Sequence, residues 1–305
     1  MTHSARPPCR ATATSERFLL EGVEDDLAKR IPQQQFSGTA GEVTLTQRQW
    51  EIVRSLRDGE TACVDERIGM IYDNMARRGI LDDTAFIVTA DHGDTQGEHG
   101  FHTAHCQTAI WDTMLHTPLV IRYPHGFGGG RRILDLVQTV DVMPTILAMA
   151  GVGDEAVWRE MQGYSLTDVA TGPAVREFAV AETQKPLEPF HWILNEHPNV
   201  DIRVFNRHLK AARTHEWKYI WSSDANDELY HVATDRDEQK NVVAEHRDVA
   251  EELRVKLEEF LLSMDRRDYG DCLKLTGHVT VDPDIAARLE AWGLYRRIIG
   301  ASRKE

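Results

Sequence analysis

One stretch, residues 84–105, constrains this chain more than any other: it reads TAFIVTADHGDTQGEHGFHTAH, an apolar run that ends abruptly in a crowd of ligating side chains. Its first part, AFIVTA, is short, uncharged and rich in β-branched residues, the pattern of a strand buried on both faces of a parallel sheet. Asp91 and His92 follow directly, then Gly93, so a carboxylate and an imidazole emerge where the chain leaves the sheet. Ligands of open α/β sheets bind outside the carboxyl ends of the strands, which is where this pair lies. Asp94, Glu98, His99, His102 and His105 come within the next thirteen residues, broken by Gly97 and Gly100.

Two readings compete for this cluster. In the plain one, Asp91 caps a turn and the histidines are solvated. In the other, Asp91 and His92 are ligands of a divalent metal, and adjacency at a strand end with more histidine nearby favours it. Neighbouring strand residues point opposite ways, so both can face one ion only if the backbone turns, and Gly93 permits a turn. Asp94 and Glu98 are expected to organise the loop by hydrogen bonding rather than to ligate.

The flanks supply a frame for the cluster. Trp50, Ile52, Val53, Val64, Ile68, Ile71, Tyr72 and Met75 recur at helical spacing across residues 46–78, with Thr44 or Thr46 as the cap and Gly79 as the left-handed stop. After the polar loop, PLVIRY at residues 118–123 predicts a second buried strand, and residues 132–137 are expected to re-enter the sheet or its rim. Trp111 and Asp112 are expected to brace the loop between. Asp141 precedes VMPTILAMA and then Gly151, which reads as a capped, buried helix in which Asp141 needs no role beyond the cap.

From about Ala174 the pattern changes to short strands at residues 203–214, 216–222 and 228–233, with a turn at 223–227, so an antiparallel sheet is expected. Trp217, Tyr219, Trp221 and Tyr230 should pack it, while Arg213 and Lys218 read as solvated strand positions. Val249, Leu253, Leu257, Phe260 and Leu261 mark an amphipathic helix with a solvated charged face, and residues 283–299 a last helix.

The 305 residues carry a formal net charge of −14, which argues against a nucleic-acid backbone as partner. Cys9, Cys63, Cys106 and Cys272 lack any paired spacing, so a disulfide framework and a zinc knuckle are both disfavoured. There is no apolar run near the roughly 18 residues of a membrane span, and the first residues lack the apolar core of a secretory signal. A cytoplasmic, reducing location is the resulting default.

Taken in order, VDERIGMIYDNMARRGILDDTAFIVTADHGDTQGEHG, HTPLVIRYP, TVDVMPTILAMAGV and LKAARTHEWKYIWSSDANDELYHVATDRDEQKNVV resemble the C-terminal half of a sulfatase of the alkaline phosphatase superfamily. The resemblance implies an α/β fold, part of a three-layer sandwich, with a smaller C-terminal antiparallel α+β subdomain. The expected division is a poorly ordered lead-in at 1–42, the catalytic part at 43–173 and the small subdomain at 174–305. It also implies a divalent metal, usually Ca2+ with Mn2+ or Zn2+ as alternatives, held by Asp91 and His92. A Lys or His soon after GEHG contacts the sulfate, and His105 or His102 takes that place here. Such enzymes attack sulfur with a formylglycine made in a C/S-x-P-x-R motif. Cys9-Arg10-Ala11 has Ala11 where proline belongs and no serine fits, so the chain is expected to hold about half an active site and to be inactive alone.

Two other expectations stand beside it. His102 and His105 after Asp-His-Gly also resemble two-metal phosphatases of the same superfamily, which would make the substrate a phosphate or phosphonate monoester. Alternatively the chain is a non-catalytic remnant, or a subunit completed by a partner chain or a second copy, since an open sheet edge invites association.

Overall fold

The computed structural model describes residues 44–100, 109–169, 176–183 and 206–264, together with 18, 195 and 198. Helix α1 (Gln47–Arg77) begins at a capping box in which Thr46 and Gln49 satisfy each other's backbone N–H groups, and it stops at Gly79 with φ +67°. Only its first half is well covered, through Ile52, Val53, Ser55, Gly59 and Cys63. Val64, Met70 and Ile71 are exposed.

Strand β1 (Phe86–Thr89) pairs with β2 (Leu119–Arg122) in antiparallel register, Phe86 opposite Arg122 and Thr89 opposite Leu119. This corrects two expectations. Among the described residues β1 has an antiparallel partner rather than parallel ones, and neither strand is buried on both faces: Val120 is 62 % exposed. A β-branched apolar run shows that a strand forms; burial on both faces needs covering layers that the run itself does not encode. Residues 132–137 form no strand, and Ile133 and Leu134 lie exposed.

Helix α2 (Asp112–Leu115) is a single turn before β2, and α3 (Val142–Met149), α4 (Glu155–Arg159) and α5 (Leu166–Val169) follow it. Asp141 stands at the N-cap position of α3, but its side chain does not cap the helix as expected. Its fully buried carboxylate makes no bond to the helix amides; it accepts from the backbone N–H of Gln138 and Tyr164 and pairs with both terminal nitrogens of Arg176. A fork of this kind matches a carboxylate with two parallel bonds. With the Gln138 side chain donating to the Val180 carbonyl, it ties the approach to α3 to the strand β3 (Ala179–Thr183).

Strands β3, β4 (Leu209–Arg213), β5 (Lys218–Ser222) and β6 (Glu228–Tyr230) form an antiparallel sheet in chain order, as expected, although β3 itself was not anticipated. Period-two alternation sends the two sets of side chains to opposite faces. Leu209, Ala211, Ile220 and Tyr230 pack on Ala109, Ile110, Trp111 and Met114. Ala212, Tyr219, Trp221 and Leu229 pack on helix α6 (Arg247–Ser263) through Ala250, Leu253 and Leu257. The expected lead-in at 1–42, the start of the 203–214 strand and the 283–299 helix fall outside the described residues. None of the described helices is long and apolar enough to cross a membrane.

Candidate metal-binding site

Asp91 and His92 stand exposed just beyond the end of β1. The His92 backbone N–H donates to Asp91 Oδ1 at 3.0 Å, which folds the carboxylate back over the next residue. His92 Nδ1 lies 2.6 Å from the Gly93 carbonyl oxygen. A carbonyl only accepts, so Nδ1 donates to it, and Nε2 lies 3.8 Å from Asp91 Oδ2. An imidazole oriented in this way by a backbone oxygen is the arrangement metal-ligating histidines use.

Gly93 holds the pair in place by close approach. Its N–H donates to the Met114 carbonyl at 2.7 Å, Asp94 N–H donates to the Thr113 carbonyl at 3.1 Å, and a Cβ on Gly93 would sit 1.9 Å from that Thr113 oxygen. Gly93, expected to permit a turn here, is not among the positive-φ residues, and what its close approach to Thr113 requires is the missing side chain.

The rest of the loop is held from α1. Arg57 pairs with Asp94, Arg54 donates to the Gln96 carbonyl at 3.1 Å and lies 3.6 Å from Glu98, and Glu98 accepts from the Gln96 N–H. Asp94 and Glu98 thus organise the loop, as their positions suggested. Gly97, at φ +94°, lies where a Cβ would strike the Trp50 ring.

His99 follows with φ +55° and stacks on Trp111, ring centroids 3.8 Å apart. Burial lowers its pKa, and the charges of Glu228 and Glu98 offset only part of that, so the ring is a neutral stacking surface. Trp111 Nε1, the Tyr230 hydroxyl and Arg207 all donate to the Glu228 carboxylate. These groups line one side of an open cleft of about 710 Å³.

Beneath Asp112 lies a charge cluster that the sequence did not reveal. Lys218 was expected to be solvated; instead its side chain is 0 % exposed. Its Nζ donates to Asp112 Oδ1 at 2.8 Å and sits 2.7 Å from Glu238 Oε1. Arg213, only partly exposed, donates from Nε to Asp112 Oδ2 at 3.0 Å. Arg213 and Lys218 are direct cross-strand partners, a like-charge pairing that repels unless a shared anion lies between them, as Asp112 does. Burial alone would raise the Asp112 pKa, but Lys218 and Arg213 outweigh it and hold the carboxyl below its ordinary value. All five residues of KYIWS are buried, and a lysine among them needs a counter-ion within reach.

His102 and His105 lie outside the described residues. Among the described residues no group of three or more His, Cys, Asp or Glu could hold a metal. Asp91 and His92 offer two converging donors of suitable chemistry, which fits part of a divalent-cation site that needs at least one more ligand.

The chain is similar to known proteins in both sequence and fold. Residues 97–265 match the family model of N-sulphoglucosamine sulphohydrolase, C-terminal, and residues 25–152 match that of Sulfatase. Arylsulfatase K of Bos taurus is 29 % identical over 217 residues, covering 70 % of this chain and 37 % of that protein. The chain thus spans little more than a third of the length of that curated relative. A phosphonate monoester hydrolase of Agrobacterium radiobacter superposes with TM-score 0.57 at 25 % identity, over 70 % of this chain and 42 % of that one. A protein solved in complex with its substrate D-glucosamine-2-N,6-O-disulfate superposes with TM-score 0.58 at 24 % identity, over 82 % of this chain and 49 % of that one. The fold is accordingly α/β of the alkaline phosphatase-like kind.

Proposed function

Because the chain belongs to the sulfatase family, we propose that it is the metal-binding part of a sulfuric ester hydrolase, whose centre is completed by groups these 305 residues do not carry. The observation that carries this is the convergence of Asp91 Oδ2 and His92 Nε2 beyond β1. A divalent cation held there would neutralise the ester oxygens as charge gathers on them. Asp91 and His92 supply two of its ligands, with the imidazole fixed by Gly93. His105, or His102, stabilises the sulfate oxygens or delivers a proton to the leaving alcohol. The nucleophile comes from a C/S-x-P-x-R segment on the remainder of the fold, whether in the same polypeptide or a partner.

The similarity to a phosphonate monoester hydrolase favours a second reading, cleavage of a phosphate or phosphonate monoester on the same scaffold. One set of assays separates them. The chain alone, the chain completed with a C-x-P-x-R-bearing sulfatase segment, and the completed form with Asp91→Ala are compared on paired aryl sulfate and aryl phosphate with added Ca2+ or Mn2+. The proposal expects no turnover by the chain alone, sulfate cleavage by the completed form, and a loss of about a hundredfold or more with Asp91→Ala. Sulfate cleavage that ignores Asp91→Ala would overturn it. A completed form that prefers phosphate would transfer the assignment to the second reading.

A further inference from the structure

We propose that Lys218 is a positioning residue for the Asp91–His92 pair, acting through Asp112 and the single turn of α2; this rests on the metal-site reading above. Asp91 and His92 are exposed, and β1 behind them is only half-buried. What fixes the backbone directly after them is the pair of bonds from Gly93 and Asp94 to the carbonyls of Met114 and Thr113. Those carbonyls belong to α2, which is four residues long and so far below the length at which a helix holds its own shape.

The C-terminal sheet holds α2 in place. Trp111 at its N-cap makes no side-chain cap bond. The Asp112 N–H is instead satisfied by Glu238, a carboxylate 126 residues further along the chain. The Asp112 side chain is gripped by Lys218 on one oxygen and by Arg213 on the other. Trp111 and Met114 are driven into the sheet face formed by Leu209, Ala211 and Ile220. Lys218 lies in the central strand, between β4 and β6, and is fully buried, so its ammonium is a fixed point from which Asp112, α2, Gly93 and finally the ligand pair are placed in turn.

The chain itself provides the test, through two readouts that do not need turnover. Lys218→Met removes the charge from a long side chain, and Asp112→Asn keeps the shape of the carboxylate in case the first variant folds poorly. In the metal-free protein, hydrogen exchange at the Gly93 and Asp94 amides should accelerate about tenfold or more in either variant, beyond any change at Trp221 in the same strand as Lys218. Mn2+ affinity measured by calorimetry should fall by about tenfold to a hundredfold. A lysine with a merely structural role would lower the urea midpoint and leave both readouts at wild-type values, and that result would overturn the proposal. If the wild-type chain, short of its remaining ligand, binds Mn2+ too weakly to measure, the exchange at Gly93 and Asp94 decides by itself whether Lys218 holds the loop, and failure of the metal-site reading is read separately from Asp91→Ala in the completed form.

Discussion

In the C-terminal sheet, β5 is paired on both edges and covered on both faces, and all five of its residues are buried. In the part that carries the ligand pair, β1 has one described partner, its last residue is exposed, and the helix that should shield it is exposed along its second half. Both strands are short, and each has an apolar centre. The difference lies in what surrounds them, and the better-covered region holds the other through α2 on one face and through Arg176 and Asp141 beside β3. A site can therefore be carried by weakly covered backbone when its order comes from a well-packed neighbour, as ligand-bearing loops on rigid scaffolds generally do.

Paired truncations break this contrast most directly. Leu257→Ala empties a site that is 0 % exposed between α6 and the sheet, and should cost about 2–5 kcal/mol. Ile146→Ala makes the same kind of change in α3, where the side chain is 42 % exposed, and should cost under about 1 kcal/mol. Urea melts of the two variants give the ratio, and equal losses would mean that the two regions are not packed differently. Gly93→Ala tests the junction itself. The new methyl group cannot share space with the Thr113 carbonyl, so the loop must move off α2, at a cost of about 1–3 kcal/mol. Fluorescence of Trp111, which sits one residue before α2, should report that movement, and an unchanged spectrum with unchanged stability would show that Gly93 is not clasped there.

Local chemistry was legible in the sequence wherever neighbours along the chain decide it. Thr46 and Gln49 cap α1, Gly79 ends it in the left-handed region, and the apolar spacing of Leu253 and Leu257 marks the buried face of α6. Asp91 and His92 stand out in the sequence by their adjacency, and the bonds that orient them run to the next peptide unit. What could not be read were partners remote along the chain. Asp141 looked like a cap because its partner Arg176 lies 35 residues away. Lys218 and Arg213 looked solvated because the carboxylate they share is more than 100 residues distant. The direction of β1 pairing was hidden for a related reason: a β-branched apolar run fits either ladder, and the choice is made by the strand that arrives next to it.

The two carboxylates around Lys218 respond to pH with opposite sign, which gives the smallest but most diagnostic effect. Asp112 is held below the ordinary aspartate value of 3.8 because Lys218 and Arg213 outweigh the burial that would raise it. Its contribution to stability is thus full above the unfolded value and is lost as pH falls through the lower folded value. Glu238 is raised above the ordinary glutamate value of 4.5 because burial, reinforced by the charge of Asp112, exceeds what Lys218 returns. Its contribution is full below the unfolded value and is lost as pH rises through the higher folded value. Relative to wild type, Glu238→Gln should therefore gain stability as pH rises above 4.5, whereas Asp112→Asn should lose it as pH rises from acid through the Asp112 titration. Urea midpoints taken across this range for the three proteins give two difference curves. Slopes of opposite sign mean that one buried ammonium serves two carboxylates unequally, favouring the one that anchors α2; slopes of the same sign mean that it does not, and that Asp112 is held by something other than Lys218.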